Sequence, residues 1–271
     1  MKINFFCPRW GSEHIPFSTF IKMALDEGYE GVEVALPPNK QLQKEYLTSL
    51  ADYGIPFILQ HGQADNSNVD DYILEYTARL EILADAKPLF INAQTGKDFY
   101  TFEDNCRIIE KAIEIEAKTG VPIYQETHRG KFSFACHLMP RYLNAFPQMK
   151  ITADFSHWVN VSESLLEYQQ ATIDRIVPNV HHIHARVGYI QGPQVNHPAS
   201  PGNRQNLDRH LEWWDAIVKE RKEMGDSEFT ITSEFGPPPY MPVLPFTEQP
   251  VSSQWEINKY MKNLLRSRYL G

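Results

Sequence analysis

Residues 102–128 read FEDNCRIIEKAIEIEAKTGVPIYQETH and hold a helix, a turn and a strand in immediate succession. Ile108, Ile109, Ala112, Ile113 and Ile115 recur at helical spacing and predict one apolar face, with Glu110, Lys111 and Glu114 turned to water. Gly120 follows the pattern where a left-handed C-cap residue is wanted. Pro122-Ile-Tyr-Gln125 then reads as a short strand, and polar residues, Glu126-Thr-His128, follow it at once.

The same unit recurs in both directions. Strand-like runs lie at Ile3–Cys7, Gly31–Leu36, Pro56–Gln60, Leu89–Ala93, Pro122–Gln125, Lys150–Ala153, Val180–His184 and Phe229–Thr232. Helical patterns cover Phe17–Glu27, Lys40–Tyr53, Val69–Ala86 and Phe102–Thr119, and Gly28 and Gly54 repeat the capping position of Gly120. Alternation of this kind predicts parallel βαβ units. Eight units of about 34 residues each favour an α/β fold closed as a (β/α)8 barrel over a doubly wound open sheet. One domain over residues 1–271 is expected, with a closing helix from Ser252 on. The loop from Val187 to Gln205 and the stretch from Gly236 to Thr247 are irregular and rich in Pro, and a loop as long as the first is usually functional.

The composition is that of a globular chain, 42% hydrophobic and 22% charged over 271 residues. A formal net charge of -8 disfavours a phosphate backbone as partner, so no nucleic-acid role is expected. Cys7, Cys106 and Cys136 are odd in number and far apart, which predicts reduced thiols rather than a disulfide or zinc framework. The N-terminus lacks the apolar region of a signal peptide, and no run approaches a membrane span. A cytoplasmic protein with no membrane partner follows, and homo-oligomerisation stays open.

In such a barrel the chemistry sits at the C-terminal ends of the strands. Four consecutive strands end in Glu126, Asp154, His184 and Glu234, separated by 28, 30 and 50 residues. Singly, Asp154 or Glu234 would read as a helix N-cap, and His182 or His184 as a partly buried polar residue. At matched heights on neighbouring strands the four converge on one space. Their oxygen-rich set suits one divalent ion, Mn²⁺, Mg²⁺, Co²⁺ or Zn²⁺.

These residues resemble the xylose isomerase-like TIM-barrel superfamily of sugar isomerases and epimerases, inosose dehydratases and related AP endonucleases. The resemblance spans almost the whole chain. It rests on Gly28-Tyr-Glu-Gly-Val-Glu33, Glu126-Thr-His128, Asp154-x-x-His157, His182-x-His184 and Ser233-Glu-Phe-Gly236. It implies Glu126, Asp154, His184 and Glu234 as metal ligands, with His184 preferred over His182, and His157 as a substrate contact. It also implies Glu126 and Glu234 as the acid/base pair. Where many relatives carry His-x-Lys-Asp, this chain has His184-Ala-Arg-Val187.

The activity implied is isomerisation or epimerisation of a small sugar-like substrate. A bound dication polarises the carbonyl, and one carboxylate removes the neighbouring proton while a second returns it. Inosose-type dehydration is the alternative on the same site. Phosphodiester hydrolysis at abasic DNA and a non-catalytic sugar-binding barrel are the alternatives outside it. His61 and Arg186 are further candidates for binding hydroxyls, carboxylate or phosphate. Trp10, Phe6, Trp158 and Tyr240 are candidates for an aromatic wall, against ordinary packing at the barrel mouth. Gly130-Lys131 is too short to be a phosphate loop.

Overall fold

A computed structural model describes residues 1–271. Eight parallel strands close into a barrel in sequence order. They are β1 (Lys2–Pro8), β2 (Gly31–Val34), β3 (Phe57–His61), β4 (Ile91–Ala93), β5 (Ile123–Glu126), β6 (Ile151–Ala153), β7 (Val180–His184) and β8 (Glu228–Thr232). The helices outside them are α1 (Phe17–Asp26), α2 (Lys40–Tyr53), α3 (Val69–Asp85), α4 (Phe102–Thr119), α5 (Met139–Ala145), α6 (Ser156–Ser162), α7 (Gln170–Ile176), α8 (Arg204–Glu223) and α9 (Gln254–Leu270). The open sheet is thereby excluded, and the closing helix is α9. No helix is long and apolar enough to cross a membrane.

Local signals account for the element ends. Asn39, Asn68, Thr101 and Ser253 accept hydrogen bonds from the first turns of α2, α3, α4 and α9. Gly54 and Gly120 follow α2 and α4 at φ +58° and +72°, in the left-handed region that costs glycine least. On α4, Ile108, Ile109, Ala112 and Ile115 are buried, but Ile113 is exposed. At 3.6 residues per turn it lies about 120° from the centre of the apolar stripe, outside its edge.

The main apolar core fills the layer between strands and helices. Inside the cylinder the apolar part is small: Phe6, Ile58 and Phe90, with Tyr124 against them. Above that floor the inward positions are polar. Parallel pairing aligns side chains of paired residues, and the registers Gln60↔Asn92, Glu126↔Thr152 and His184↔Thr232 set amides, hydroxyls, carboxylates and imidazoles facing one another.

The long loop after β7 is folded back rather than free. The Val195 N–H donates to the Val187 carbonyl at 2.9 Å, and Tyr189 and Gly192 pair across its tip. Gly188 lies so close to Ser156 that a Cβ there would meet its backbone oxygen at 2.7 Å. His210 of α8 anchors this passage: its Nδ1 donates to the Asn206 carbonyl at 2.8 Å and its Nε2 accepts from the Gly188 N–H at 3.2 Å.

An imidazole that accepts a hydrogen bond must be neutral, and burial holds His210 down to about 4. The folded state therefore binds fewer protons than the unfolded chain between pH 6.5 and 4, so stability falls as pH falls through that window. About 2 kcal/mol of stability should be lost at this residue between pH 6.5 and 5. Chemical denaturation of wild type and His210→Gln at both pH values checks this, the variant losing less.

Candidate metal centre

Glu126, Asp154, His184 and Glu234 each place one ligand atom within 4.8 Å of the others, all four residues buried. Asp154 stands two residues beyond Thr152, which pairs with Glu126 and His182, and Glu234 two beyond Thr232, which pairs with His184, so period-two alternation keeps both pointing inward. The four strand-end residues named from the sequence are thus brought together.

Each carboxylate has one oxygen fixed and the other turned to the centre. Asn92 donates to Glu126 Oε2 at 2.9 Å, and Gln60 reaches across the barrel to Glu234 Oε1 at 2.7 Å. Asp154 Oδ1 accepts from the Ser156 N–H at 3.2 Å, at the start of α6. The same oxygen accepts from the Ser156 hydroxyl, so Asp154 is tied to the start of α6 without being its N-cap, a position Phe155 holds. Asp154 Oδ2 is ion-paired with Arg186.

His184 is aimed by Glu33 of β2. Its Nε2 donates to Glu33 Oε1 at 2.9 Å, which leaves Nδ1 on the side of the three carboxylates. Nδ1 lies 2.8 Å from Glu234 Oε2 and 3.6 Å from Glu126 Oε1, in neither case with hydrogen-bond geometry. His184 Nδ1 and Glu126 Oε1 are therefore two buried polar atoms that face one centre without a partner. Buried polar atoms are rarely left so, and a shared cation would satisfy both. The donor set fits a divalent ion held by Glu126, Asp154, His184 and Glu234. Asp154 fits although Arg186 is already on Oδ2, since each carboxylate oxygen carries two lone pairs.

The electrostatics carry the same excess of negative charge. Burial raises Asp154 to about 6, Arg186 opposing and the charges of Glu234 and Glu126 adding to the rise. Burial also pushes Glu126 up, but His184 outweighs it and holds the carboxyl at about 2. His184 is itself raised well above the usual imidazole range, because Glu234 and Glu33 overcome its burial.

Around this centre stand further polar and aromatic residues. The Arg186 guanidinium donates to His157 Nε2 at 2.8 Å, so His157 carries its proton on Nδ1, which is buried and unpartnered. His128 packs against His157 with the rings tilted by 46° and their centroids 3.8 Å apart. Arg186 is roofed by Tyr240 at 4.8 Å and Trp10 at 5.7 Å, and these two rings meet edge-on. The roof needs Gly236, where a Cβ would meet the Trp10 indole at 2.2 Å. Gln194, from the folded-back loop, pins Gly236 through hydrogen bonds of 2.7 and 3.1 Å.

Of the remaining sequence candidates, His157, Arg186 and Trp10 join the centre, and Tyr240 does so among the aromatics. His61 lies at the end of β3 against Tyr76, apart from the four ligands. Phe6 and Trp158 form no wall. Phe6 belongs to the apolar floor, and Trp158 stacks on Phe155 while its indole N–H donates to the Ser133 carbonyl at 2.7 Å. Sequence reasoning gave no site role to Glu33, Gln60, Asn92 or His128. The available signal was a polar residue at an inward position of an otherwise apolar strand.

No protein-family profile matches the chain, and no curated protein matches it in sequence. Solved structures do. A 3-keto-D-glucoside 4-epimerase from E. coli, in its apo form, has 13% identity and a TM-score of 0.61, with 98% of this chain and 100% of that one covered. A probable 3-DHS dehydratase of petrobactin synthesis from Bacillus anthracis has 18% identity and a TM-score of 0.61, with 98% and 99% covered. A sugar phosphate isomerase/epimerase from Parabacteroides distasonis has 12% identity and a TM-score of 0.58, with 97% of each covered. At these identities the likeness establishes a shared fold, the closed (β/α)8 barrel.

Glu33 reaches the four-residue centre through His184 and through Gln60, which donates to both Glu33 and Glu234, so it is a positioning residue. Outer partners of metal-ligating histidines typically contribute 10–100-fold in affinity. Glu33→Gln should weaken binding of Zn²⁺ or Mn²⁺ by about that factor, while Glu126→Gln, which removes a ligand, should lose most of the bound metal. Calorimetric titration of the metal-free proteins reads both.

Proposed function

We propose that the chain is a metal-dependent isomerase or epimerase of a small sugar or sugar-derived molecule, acting by proton transfer at a carbon next to a carbonyl. The observation that carries the reading is the pair Glu126 and Glu234. Each is anchored by an amide on one oxygen and faces the same buried centre with the other. A divalent ion held there supplies Lewis-acid polarisation of the substrate carbonyl.

The chain's own residues do the rest. One carboxylate takes the proton from the carbon and the other returns a proton to the neighbouring carbon or the opposite face. Glu126, held at about 2, is ionised and ready to accept at neutral pH. Asn92 and Gln60 keep the two carboxylates from rotating between turnovers. Arg186 and the Nδ1–H of His157 offer donors for substrate hydroxyls or an oxyanion. Trp10 and Tyr240 close over the mouth and exclude water, which strengthens every charge interaction beneath them.

Dehydration is the second reading, and the His157 Nδ1–H favours it, since a buried donor without a partner can assist departure of a hydroxyl. A free sugar-like molecule, rather than nucleic acid or a membrane surface, suits a chain of net charge -8 with an enclosed, acid-rich centre.

Solvent deuterium incorporation separates these readings. With metal-saturated protein in D₂O, the substrate proton should exchange for a panel member among ketoses, aldoses and inososes. Loss of water from the product marks dehydration, and retention marks isomerisation or epimerisation. Glu234→Gln, measured at saturating metal, should slow exchange by about 10²–10⁴. Exchange at the wild-type rate would reduce Glu234 to a ligand alone.

A further inference from the structure

On the rim of the four-residue centre, where β5 and β6 end, stands an imidazole that the proposed proton transfer does not use. His128 follows Glu126 by two residues and is half-buried, and His157, against which it packs, is fully buried. One oxygen of Glu126 and one nitrogen of each ring lie within 4.8 Å of one another. The centre of a triangle of that size is about 2.8 Å from each corner, a hydrogen-bond distance. A single oxygen placed there meets all three side chains.

The hydrogen bonds already made decide what the two rings can offer it. His128 Nδ1 lies 2.6 Å from the Arg129 carbonyl, which can only accept, so in the neutral ring Nδ1 carries the proton and Nε2 the lone pair. That Nε2 makes no hydrogen bond within the chain and is not closed off from solvent. His157 is the converse: its Nε2 accepts from the Arg186 guanidinium, so its proton sits on Nδ1, which is buried and without a partner. The two rings therefore present an acceptor and a donor side by side, next to Glu126. Tyr240 stands edge-on to His157 at 6.4 Å, which sets the pair beside the aromatic roof.

A hydroxyl uses both, since its O–H donates and its lone pairs accept. A carboxylate or a phosphate dianion has no proton to give His128, and a methyl group satisfies neither ring. We propose that His128 and His157 form a subsite for one free hydroxyl of the substrate, with His128 the specificity-determining contact. Glu126 is both a ligand of the proposed ion and a member of the acid/base pair, so the hydroxyl beside it belongs to the carbon next to the reacting carbonyl. The inference deepens the functional reading, on which it rests for the carbonyl compound. It narrows the substrate to one hydroxylated at that carbon, neither deoxygenated nor phosphorylated there.

The test compares erythrulose, a four-carbon ketose too short to close a ring, with its 1-deoxy analogue on the full chain loaded with Zn²⁺. The ¹⁵N resonances of the imidazoles read binding without turnover, those of His128 being assigned by their loss in His128→Phe. We expect erythrulose to move His128 Nε2 saturably while Nδ1 stays in place, and to bind about tenfold more tightly than the analogue. His128→Phe keeps a ring against His157 and should bring the two ketones to equal affinity, followed at the His157 resonances. Unchanged His182 and His184 resonances show that the barrel interior of the variant is intact, and the comparison in the wild type needs no variant. Equal affinities in the wild type, a His128 Nε2 that does not move, or a preference that persists in His128→Phe overturns the subsite. Deuterium exchange enters none of these readings. A chain that binds erythrulose in this way without exchanging its protons keeps the subsite and loses the proton-transfer reading.

Discussion

Glu33, Glu126, Asp154 and Glu234 place four carboxylates inside one barrel, each 5% exposed or less. Burying an ionised carboxylate without compensation is among the largest penalties a fold can carry. The rest of the interior is arranged to meet that penalty. Asn92 and Gln60 donate from β4 and β3, Thr232 and His182 donate to Glu33, and Arg186 pairs with Asp154. Among the carboxylates and their imidazole, Glu126 Oε1 and His184 Nδ1 are left facing one centre unpartnered. Those two atoms are where the proposed divalent ion would find open valences.

The same constraint reaches the surface of the barrel mouth. Arg186 serves the carboxylates from above, and its outer face needs cover that does not compete for its hydrogen bonds. The Trp10 and Tyr240 rings provide that cover. Trp10 in turn requires the bare backbone of Gly236, Gly236 is held by Gln194, and the loop bearing Gln194 is anchored through Gly188 to His210. A substitution at His210, a residue of α8 far from any reacting atom, would thus loosen the roof over the site.

How much of this the sequence discloses depends on which physical signal each residue leaves. Strand ends are marked by a polar residue after an apolar run, so Glu126, Asp154, His184 and Glu234 were legible. Gly54 and Gly120 were legible as caps because their backbone demands are local. Glu33 sits inside Gly31–Val34, and its partner His184 lies 151 positions away; no local pattern couples them. Gln60 and Asn92 read as ordinary strand termini until barrel closure sets them beside Glu234 and Glu126. Phe6 and Trp158 stayed ambiguous between wall and packing for a related reason. An aromatic near a strand end can face the mouth, the barrel floor or the helix layer, and only register and helix packing decide among them.

The position after His184 shows the difference between matching a motif and matching its chemistry. Arg186 stands where many proteins of the resembled superfamily carry lysine, and Val187 where they carry aspartate. A lysine would bring a single point charge to Asp154. The guanidinium instead sets Nη2 on Asp154 and His157, 3.7 Å from Glu234, while Nε donates to the Ser156 hydroxyl at 3.3 Å and the flat face is left for Tyr240. Val187, fully buried, joins the apolar core, and its carbonyl receives the Val195 N–H that turns the loop back over the barrel. An aspartate side chain there would have to be desolvated or would draw the loop outward to water. The Arg-Val pair therefore links two features of this chain, a cation locked into the acidic centre and a loop folded down beside it.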